Sequence, residues 1–531
     1  MLMNQQASII FKPQKFESVC LIFCIDLYKH ILVPTPLTAT SRESSPIVAM
    51  ASHVQTHFVL LPLMAPGHMN PMIDIARLLA RRGEIVTIVT TTLNAKRIET
   101  IACGLCIRIV PLQFPSVAAG LPEGCENLDM IPSMDSLSQF FVATDMLQQP
   151  VEELLADLKP RPSCIISDLS FWWTTLVAQR FQIPRLVFHG TGCFALYVTR
   201  RLMISKVPNN VKSDSDYMVV PGLPHRIELT KAQLPGLANP SLSGINYFHE
   251  RMKEAEKNAY GIVVNTFEEL EMDYVEEFRK VMNKRVWCIG PVSLCNSDNL
   301  DYKTERGNKA SVDQHNCLKW LASRETNSVI YVCLGSLSRL STGQMTELAL
   351  GLEASQRPFV WAMRYKSGDF EKWLCEEKFE ERINDRGLLI HGWAPQVLIL
   401  SHPAVGGFVT HCGWNSTLEG ISAGVPLITW PMFGEQFCNE KLIVNILRVG
   451  VRVGVEFPVR FGEEEKVGVQ VKQQDCKTAI DELMSEEQEG KQRRERARKL
   501  GEMAKRALEE GGSSHLNLDL LVQDITEHPM E

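Results

Sequence analysis

"GGFVTHCGWNSTLEGISAG", residues 406–424, reads as a strand, a sharp turn and a helix in direct succession. The apolar run Gly406–Thr410 has the length of a buried strand, His411-Cys412-Gly413 makes the turn, and a helix is predicted from about Trp414. A strand feeding a helix through a tight turn is the unit of a parallel sheet with crossover helices. Chains that bind a dinucleotide fill such a turn with the glycines of a G-x-G-x-x-G pattern. Here the turn and the first helical residues carry histidine, tryptophan, asparagine, serine and glutamate, so a different ligand is expected.

The same alternation extends outward in both directions. "SVIYVCLGS", "FVWAMR", "LLIHGWAP" and "PLITWPM" surround the opening stretch as further strands, and "HFVLLPL", "EIVTIVTT", "CIRIVPL", "SCIISD" and "PRLVFHG" form a separate series in the first half. In the first of these units Pro71 suits a first helical turn and Gly83 a C-terminal stop. Between the halves, "SLCNSDNLDYKTERGNKASVDQ" (293–314) is polar and nearly free of strand signal, which predicts a linker. The expected architecture is therefore α/β, with two doubly wound, Rossmann-like domains facing each other across a cleft. Ligands in such sheets sit outside the carboxyl ends of the strands. The expected division is an acceptor-side domain over 50–292, the linker, a donor-side domain over 315–510, and a tail over 511–531 that can pack back on the first domain. Residues 1–49 read differently: "SVCLIFCIDLYKHILV" is apolar but broken by Asp26, Lys29 and His30, so it is neither a membrane span nor a clean signal core. They are expected to be a poorly ordered extension ahead of a domain that starts at Met50.

A chain of 531 residues exceeds one ordinary core. Its 45% apolar and 22% charged residues are ordinary for a soluble protein, and a net charge of -7 argues against nucleic-acid partners. The basic tail "KQRRERARKLGEMAKRALEEGG" repeats Ala497, Leu500, Ala504 and Leu508 at helical spacing, which fits an amphipathic helix with a solvated face. Fifteen scattered cysteines suit reduced thiols, so a cytoplasmic location is expected. The pair Cys103 and Cys106 has C-x-x-C spacing but follows a helix-like run and opens a strand, whereas a redox pair opens a helix. No metal is expected, because His402, His411 and Cys412 show no zinc spacing.

The first amides of a helix beginning near Trp414 point unpaired toward the turn and suit a phosphate. Asn415, Ser416 and His411 can add donors, and the Glu419 carboxylate can accept from a ribose diol. Asn415 and Ser416 also suit helix capping, and Glu419 a solvated helix face. "GWAPQ" offers Trp393 to stack on a planar base and Gln396 beside it. "CLGSLS" adds the small turn at Ser336, and "WPMFGEQ" places Glu435 and Gln436 side by side, suited to a sugar's adjacent hydroxyls. Together these describe a nucleotide sugar.

The span Trp393–Gln436 resembles the signature box of plant UDP-glycosyltransferases that act on small secondary metabolites, and the similarity runs from about Met50 to the closing "EEGGSSHLNL". The resemblance implies two Rossmann-like domains in the arrangement called GT-B. It implies that Trp393 stacks on uracil, that Ala394 and Gln396 lie beside the nucleoside, and that Glu419 binds the ribose. His411, Asn415, Ser416 and Ser336 would contact the diphosphate, and Trp414, Glu435 and Gln436 would hold the sugar. A terminal glutamine in this box is associated with glucose.

Moving a sugar to an alcohol also requires a base. His68 ends the first strand beside the start of a helix, where partial positive charge disfavours imidazolium. Asp168 ends "CIISD" and can orient it, though a polar turn histidine and a helix cap are the plain alternatives. The resemblance implies that His68 is the catalytic base and Asp168 its partner. Phe171, Trp172, Phe188 and the segment Phe114–Leu121 are candidates for an apolar acceptor pocket, or else core. The expected activity is inverting, metal-independent transfer of glucose from UDP-glucose to a hydroxyl of a flavonoid, phenolic or terpenoid, by a monomer. A nicotinamide-dependent oxidoreductase and a non-catalytic metabolite carrier are the rival readings.

Overall fold

The computed structural model describes residues 55–99, 105–239, 246–295, 306–307, 310–311 and 314–528. The expected extension 1–49 and Cys103 of the C-x-x-C pair lie outside these residues, as does most of the expected linker. Cys106 is exposed and, like every described cysteine, is a free thiol.

Two parallel sheets organise the chain. The first has seven strands in the order β3-β2-β1-β4-β5-β8-β9. These are β1 (His57–Leu61), β2 (Ile85–Thr91), β3 (Ile107–Leu112), β4 (Cys164–Asp168), β5 (Arg185–His189), β8 (Gly261–Val264) and β9 (Arg285–Cys288). An antiparallel hairpin of β6 (Tyr217–Val219) and β7 (Glu228–Thr230) interrupts the series. The second sheet has the order β12-β11-β10-β13-β14-β15. Its members are β10 (Val329–Cys333), β11 (Phe359–Met363), β12 (Gly387–His391), β13 (Val405–Thr410), β14 (Leu427–Thr429) and β15 (Gly450–Arg452). The hairpin and the short strands β8, β9 and β15 were not anticipated from the sequence, because runs of three or four residues carry little periodicity.

The central strands are near-continuous apolar runs because helices cover both faces. Along β1 the side chains alternate: Phe58 and Leu60 join a core with Ile75 and Leu79, while Val59 and Leu61 join another with Phe140 and Trp173. The same Phe58 core takes in Leu518, Leu521, Val522 and Ile525 of the last helix, Ser513–Thr526. That helix is pinned there by Arg82–Asp519 and Arg285–Asp524 pairs. The preceding helix Gln488–Leu508 buries Ala497, Ala504 and Ala507 against the second core, with Leu500 packed at its edge.

Both strand orders reverse once, and the reversals position the site. In the first sheet β1 lies between β2 and β4, so the chain leaves β1 on one side and returns on the other. In the second sheet β10 lies in the same way between β11 and β13. Loops after such strands diverge and leave a crevice at their carboxyl ends.

One element differs from expectation. The helix after β1 runs Pro66–Arg81, with Pro66 in its first turn and Pro71 inside it; Gly83, at φ 87°, does follow its end. The helix therefore starts five residues earlier than Pro71 suggested, and His68 lies within its first turn. Pro71 is tolerated because the acceptor it fails to reach, the Gly67 carbonyl four residues back, receives the Asn415 side-chain amide at 2.5 Å.

Candidate active site

A cavity of about 230 Å³ opens between the two crevices, and Ala65–His68 and Asn70 line it from the first sheet's side. From the second sheet's side come Ser336, Trp393, Ala394, Gln396, His411, Trp414, Asn415, Ser416, Glu419, Glu435 and Gln436. All eleven residues expected on the donor side thus border one space, although they come from loops after four different strands.

His68 and Asp168 meet because β1 and β4 are hydrogen-bonded neighbours that pair Leu61 with Ser167. His68 Nδ1 lies 2.5 Å from Asp168 Oδ2, and the other oxygen of Asp168 accepts from the Ser170 amide at 2.9 Å. Asp168 therefore orients the histidine and shapes its own turn at once. Burial alone would raise the Asp168 pKa, but the imidazole and the Ser170 donors outweigh it and hold the carboxyl below its usual range. With a carboxylate on Nδ1, the neutral ring carries its proton there and turns a lone pair at Nε2 outward. The side chain keeps 36% of its surface exposed, so a substrate proton can reach it.

The expectation that the helix start keeps His68 neutral needs correction. Burial does lower its pKa, but Asp168, and beyond it Glu435, outweigh burial, and the pKa is raised above that of an ordinary histidine. A full carboxylate charge in contact exceeds the partial charge of a helix terminus. Arg185, which the sequence reading passed over, lies under the pair: its guanidinium donates to Asp168 O at 3.1 Å, Ser167 Oγ at 2.9 Å and Thr175 Oγ1 at 2.7 Å.

On the opposite wall the helix Trp414–Ser422 begins on Gly413, which offers no side-chain cap. Asn415 and Ser416 are its second and third residues, so neither is the cap. The Trp414 amide is engaged by the Glu435 carboxylate, whose pKa is raised by burial. His411 packs against Gly335 and Gly413, where any side chain would collide with its ring. Burial pushes its pKa down to about 4, and its Nδ1 is buried without a partner among the described residues. A neutral imidazole with an unmatched ring nitrogen beside the first turn of a helix suits a diphosphate.

Glu419 is buried rather than solvated. Its Oε1 accepts from Arg306 Nη1 at 2.6 Å and its Oε2 from Gln396 Nε2 at 2.7 Å, while Gln396 also reaches Ser416 Oγ at 3.0 Å. The Trp393 indole lies under the Arg364 guanidinium, 4.8 Å from the ring centroid. Gln436 locks its own turn, with Oε1 accepting from the Met432 and Phe433 amides at 2.8 and 3.1 Å. Trp414 departs from its expected role: its indole N–H donates to Asn265 O at 2.7 Å and only 2% of the residue is exposed. The ring is a key into the first domain, wedged against Gly192.

The expected acceptor residues are also corrected. Phe171 and Phe188 are buried in the two cores of the first sheet, and Phe114 and Leu121 are core as well. Trp172 packs away from the cavity, donating to Asp145 at 2.8 Å beneath Arg251. Phe171 and Phe188 have the composition of a pocket wall, but period-two alternation on β5 and the fold of the Asp168 turn direct them inward. An apolar cavity of about 210 Å³ does adjoin the site, sharing Leu337 and Phe433 with it and lined by Leu128, Ile131, Met134 and Leu137. The sequence signal that could have located it is the spacing of apolar residues over 128–137. Arg306 and Arg364 are further residues of the main cavity that the sequence reading missed.

Among the described residues no helix is long and apolar enough to cross a membrane. Residues 161–457 match the family model described as "UDP-glucoronosyl and UDP-glucosyl transferase". UDP-glycosyltransferase 73E1 of Stevia rebaudiana is 54% identical over 486 residues, which is 90% of this chain and 98% of that protein. The crystal structure of Glycyrrhiza uralensis UGT73P12 complexed with glycyrrhetinic acid 3-O-monoglucuronide superposes with a TM-score of 0.81 at 35% identity, covering 89% of this chain and 96% of that one. Phytolacca americana UGT2 complexed with UDP-2fluoro-glucose and pterostilbene gives 0.70 at 27% identity, covering 89% and 100%.

Proposed function

The chain belongs to the plant UDP-glycosyltransferase family and is a glycosyltransferase, and on that premise we propose that it moves glucose from UDP-glucose to a hydroxyl of a hydrophobic small molecule with inversion. One observation carries the reading: the His68–Asp168 pair opens onto the same cavity as the start of the helix at Trp414 and the residues around it. His68 Nε2 takes the acceptor proton as the hydroxyl oxygen attacks the anomeric carbon. Asp168 stabilises the imidazolium that forms. The amides after Trp414, with His411, Ser336, Asn415 and Ser416, receive the charge of the departing diphosphate. Attack from the first domain and departure toward the second convert an α-linked donor into a β-glucoside. No step in this scheme calls for a metal.

In this reading Trp393 stacks on uracil with Ala394 and Gln396 beside it, and Glu419 accepts from the ribose diol. Glu435 and Gln436 hold the sugar, and Gln436 favours glucose. The apolar cavity between Leu128–Leu137 and Phe433 takes the acceptor, in keeping with the small-molecule ligands of the solved relatives, glycyrrhetinic acid 3-O-monoglucuronide and pterostilbene. The free cysteines suit a cytoplasmic enzyme.

The test is incubation with UDP-glucose, UDP-galactose and UDP-glucuronic acid against a panel of flavonoids, phenolics and terpenoids, read by mass shift and UDP release. A hexose-bearing product formed fastest from UDP-glucose, with a β linkage by NMR, is expected. Faster transfer from another donor would overturn the glucose assignment. His68→Ala is expected to lower kcat by about 10²–10⁴-fold while UDP binding is retained, and wild-type turnover in that variant would remove the base from His68.

A further inference from the structure

Arg306, between the two sheets in sequence, contributes a side chain to the cavity. Arg306 is 9% exposed and its guanidinium bridges two buried carboxylates: Nε donates to Asp74 Oδ2 at 2.9 Å and Nη1 to Glu419 Oε1 at 2.6 Å. Asp74 is wholly buried on the helix Pro66–Arg81 of the first domain, and Glu419 is 7% exposed on the helix Trp414–Ser422 of the second. One planar cation thus joins a helix of each domain at the cavity wall it helps to form. The next residue, Gly307, has a φ of 92° and lies so close to the Trp393 indole that any side chain there would collide with it. Glycine at that point lets the connector bring a charge to Glu419 with the backbone against the indole.

We propose that Arg306 is a positioning residue for the donor's ribose, holding the Glu419 carboxylate in the orientation that accepts from the 2′,3′-diol and anchoring it through Asp74 to the first domain. The inference rests on the ribose role of Glu419 given above. A carboxylate has about four lone-pair sites. Arg306 takes one on Oε1 and Gln396 one on Oε2, so each oxygen is fixed by a protein donor and each keeps a site for one hydroxyl. Without Arg306, two buried carboxylates would lose the cation between them, and Glu419 would be held on one side only. Burial pushes the Asp74 pKa up to about 6 even with the guanidinium in contact, so the cation offsets only part of the burial cost.

The experiment measures, by calorimetry on the full chain, the affinities for UDP and for 2′,3′-dideoxy-UDP. The ratio of the two within one protein does not depend on how much of it is active. Wild type is expected to prefer UDP, and no preference would refute the ribose role of Glu419 itself. Given that preference, Arg306→Met is expected to reduce it by about tenfold, the loss typical of one charged hydrogen bond, and Arg306→Lys to restore part of it. A full preference in Arg306→Met, or tighter UDP binding than wild type, would overturn the inference, the latter because the guanidinium would then compete with the ribose. If Arg306→Met does not fold, Asp74→Ala removes the anchor while leaving the guanidinium on Glu419. A reduced preference is expected there too, and a full one overturns the proposal.

Discussion

At His68 two opposing effects set the protonation state. Burial disfavours the imidazolium, but the Asp168 carboxylate and, beyond it, Glu435 together outweigh burial, so the folded pKa lies above the unfolded value near 6.5. A general base works in its neutral form, so kcat/KM is expected to fall as pH drops through that raised value. In Asp168→Asn the stronger raising interaction is gone, while burial and the weaker pull of Glu435 remain. The acid limb of the profile should then move to lower pH while the plateau rate falls, and an unmoved limb would show that another group controls it. The same pair has a signature in stability. The His68 contribution is fully present below about pH 6.5 and fades as pH rises through the raised folded pKa. That of Asp168 is present above about pH 3.9 and fades as pH falls through its lowered one. The stability difference between wild type and Asp168→Asn is therefore expected to be largest between these limits, which unfolding midpoints measured from pH 3 to 9 would reveal.

Among the elements, the two helices that meet at the cavity are coupled through their first turns. Pro71 withholds an amide from Gly67 O, and Asn415 of the other domain takes the vacancy. Pro71→Ala supplies a competing amide within the helix. It is expected to raise the donor KM by about two- to tenfold, the worth of one hydrogen bond, without lowering the unfolding midpoint. Trp414 makes the reverse connection, reaching from the second domain to Asn265 O. Trp414→Phe keeps the ring mass but leaves that buried carbonyl unpaired, at a cost of about 1–3 kcal/mol. A denaturant midpoint equal to wild type would show that the carbonyl finds another donor.

For the whole molecule, the last described helix returns to the first domain. The helix Gln488–Leu508 packs on the second domain, and Ser513–Thr526 then crosses to β9 and the core beneath β1. Leu521 is fully buried there, so Leu521→Ala is expected to cost about 2–5 kcal/mol. Truncation after Gly512 uncovers Leu518, Leu521, Val522 and Ile525 together and should destabilise the first domain selectively. Dye binding and limited proteolysis confined to residues before Cys295 would report it, and a truncated chain as resistant as wild type would contradict this packing.

Short apolar runs punctuated by glycine, proline and polar turns were enough to read two parallel α/β units, because strand burial and helix crossover leave a local, periodic imprint on sequence. The donor-side residues were legible for the same reason: Trp393–Gln396, His411–Glu419 and Glu435–Gln436 are contiguous segments whose chemistry is carried by neighbours in the chain. The rest depended on tertiary structure, because its contacts have no local imprint. His68 and Asp168 are brought together only by the adjacency of β1 and β4, and Arg306 enters the cavity from a polar stretch that resembled a spacer. Phe171 and Phe188 were directed into the core by the faces of their elements. Composition names which groups are available, whereas strand order and side-chain direction decide which of them share a space.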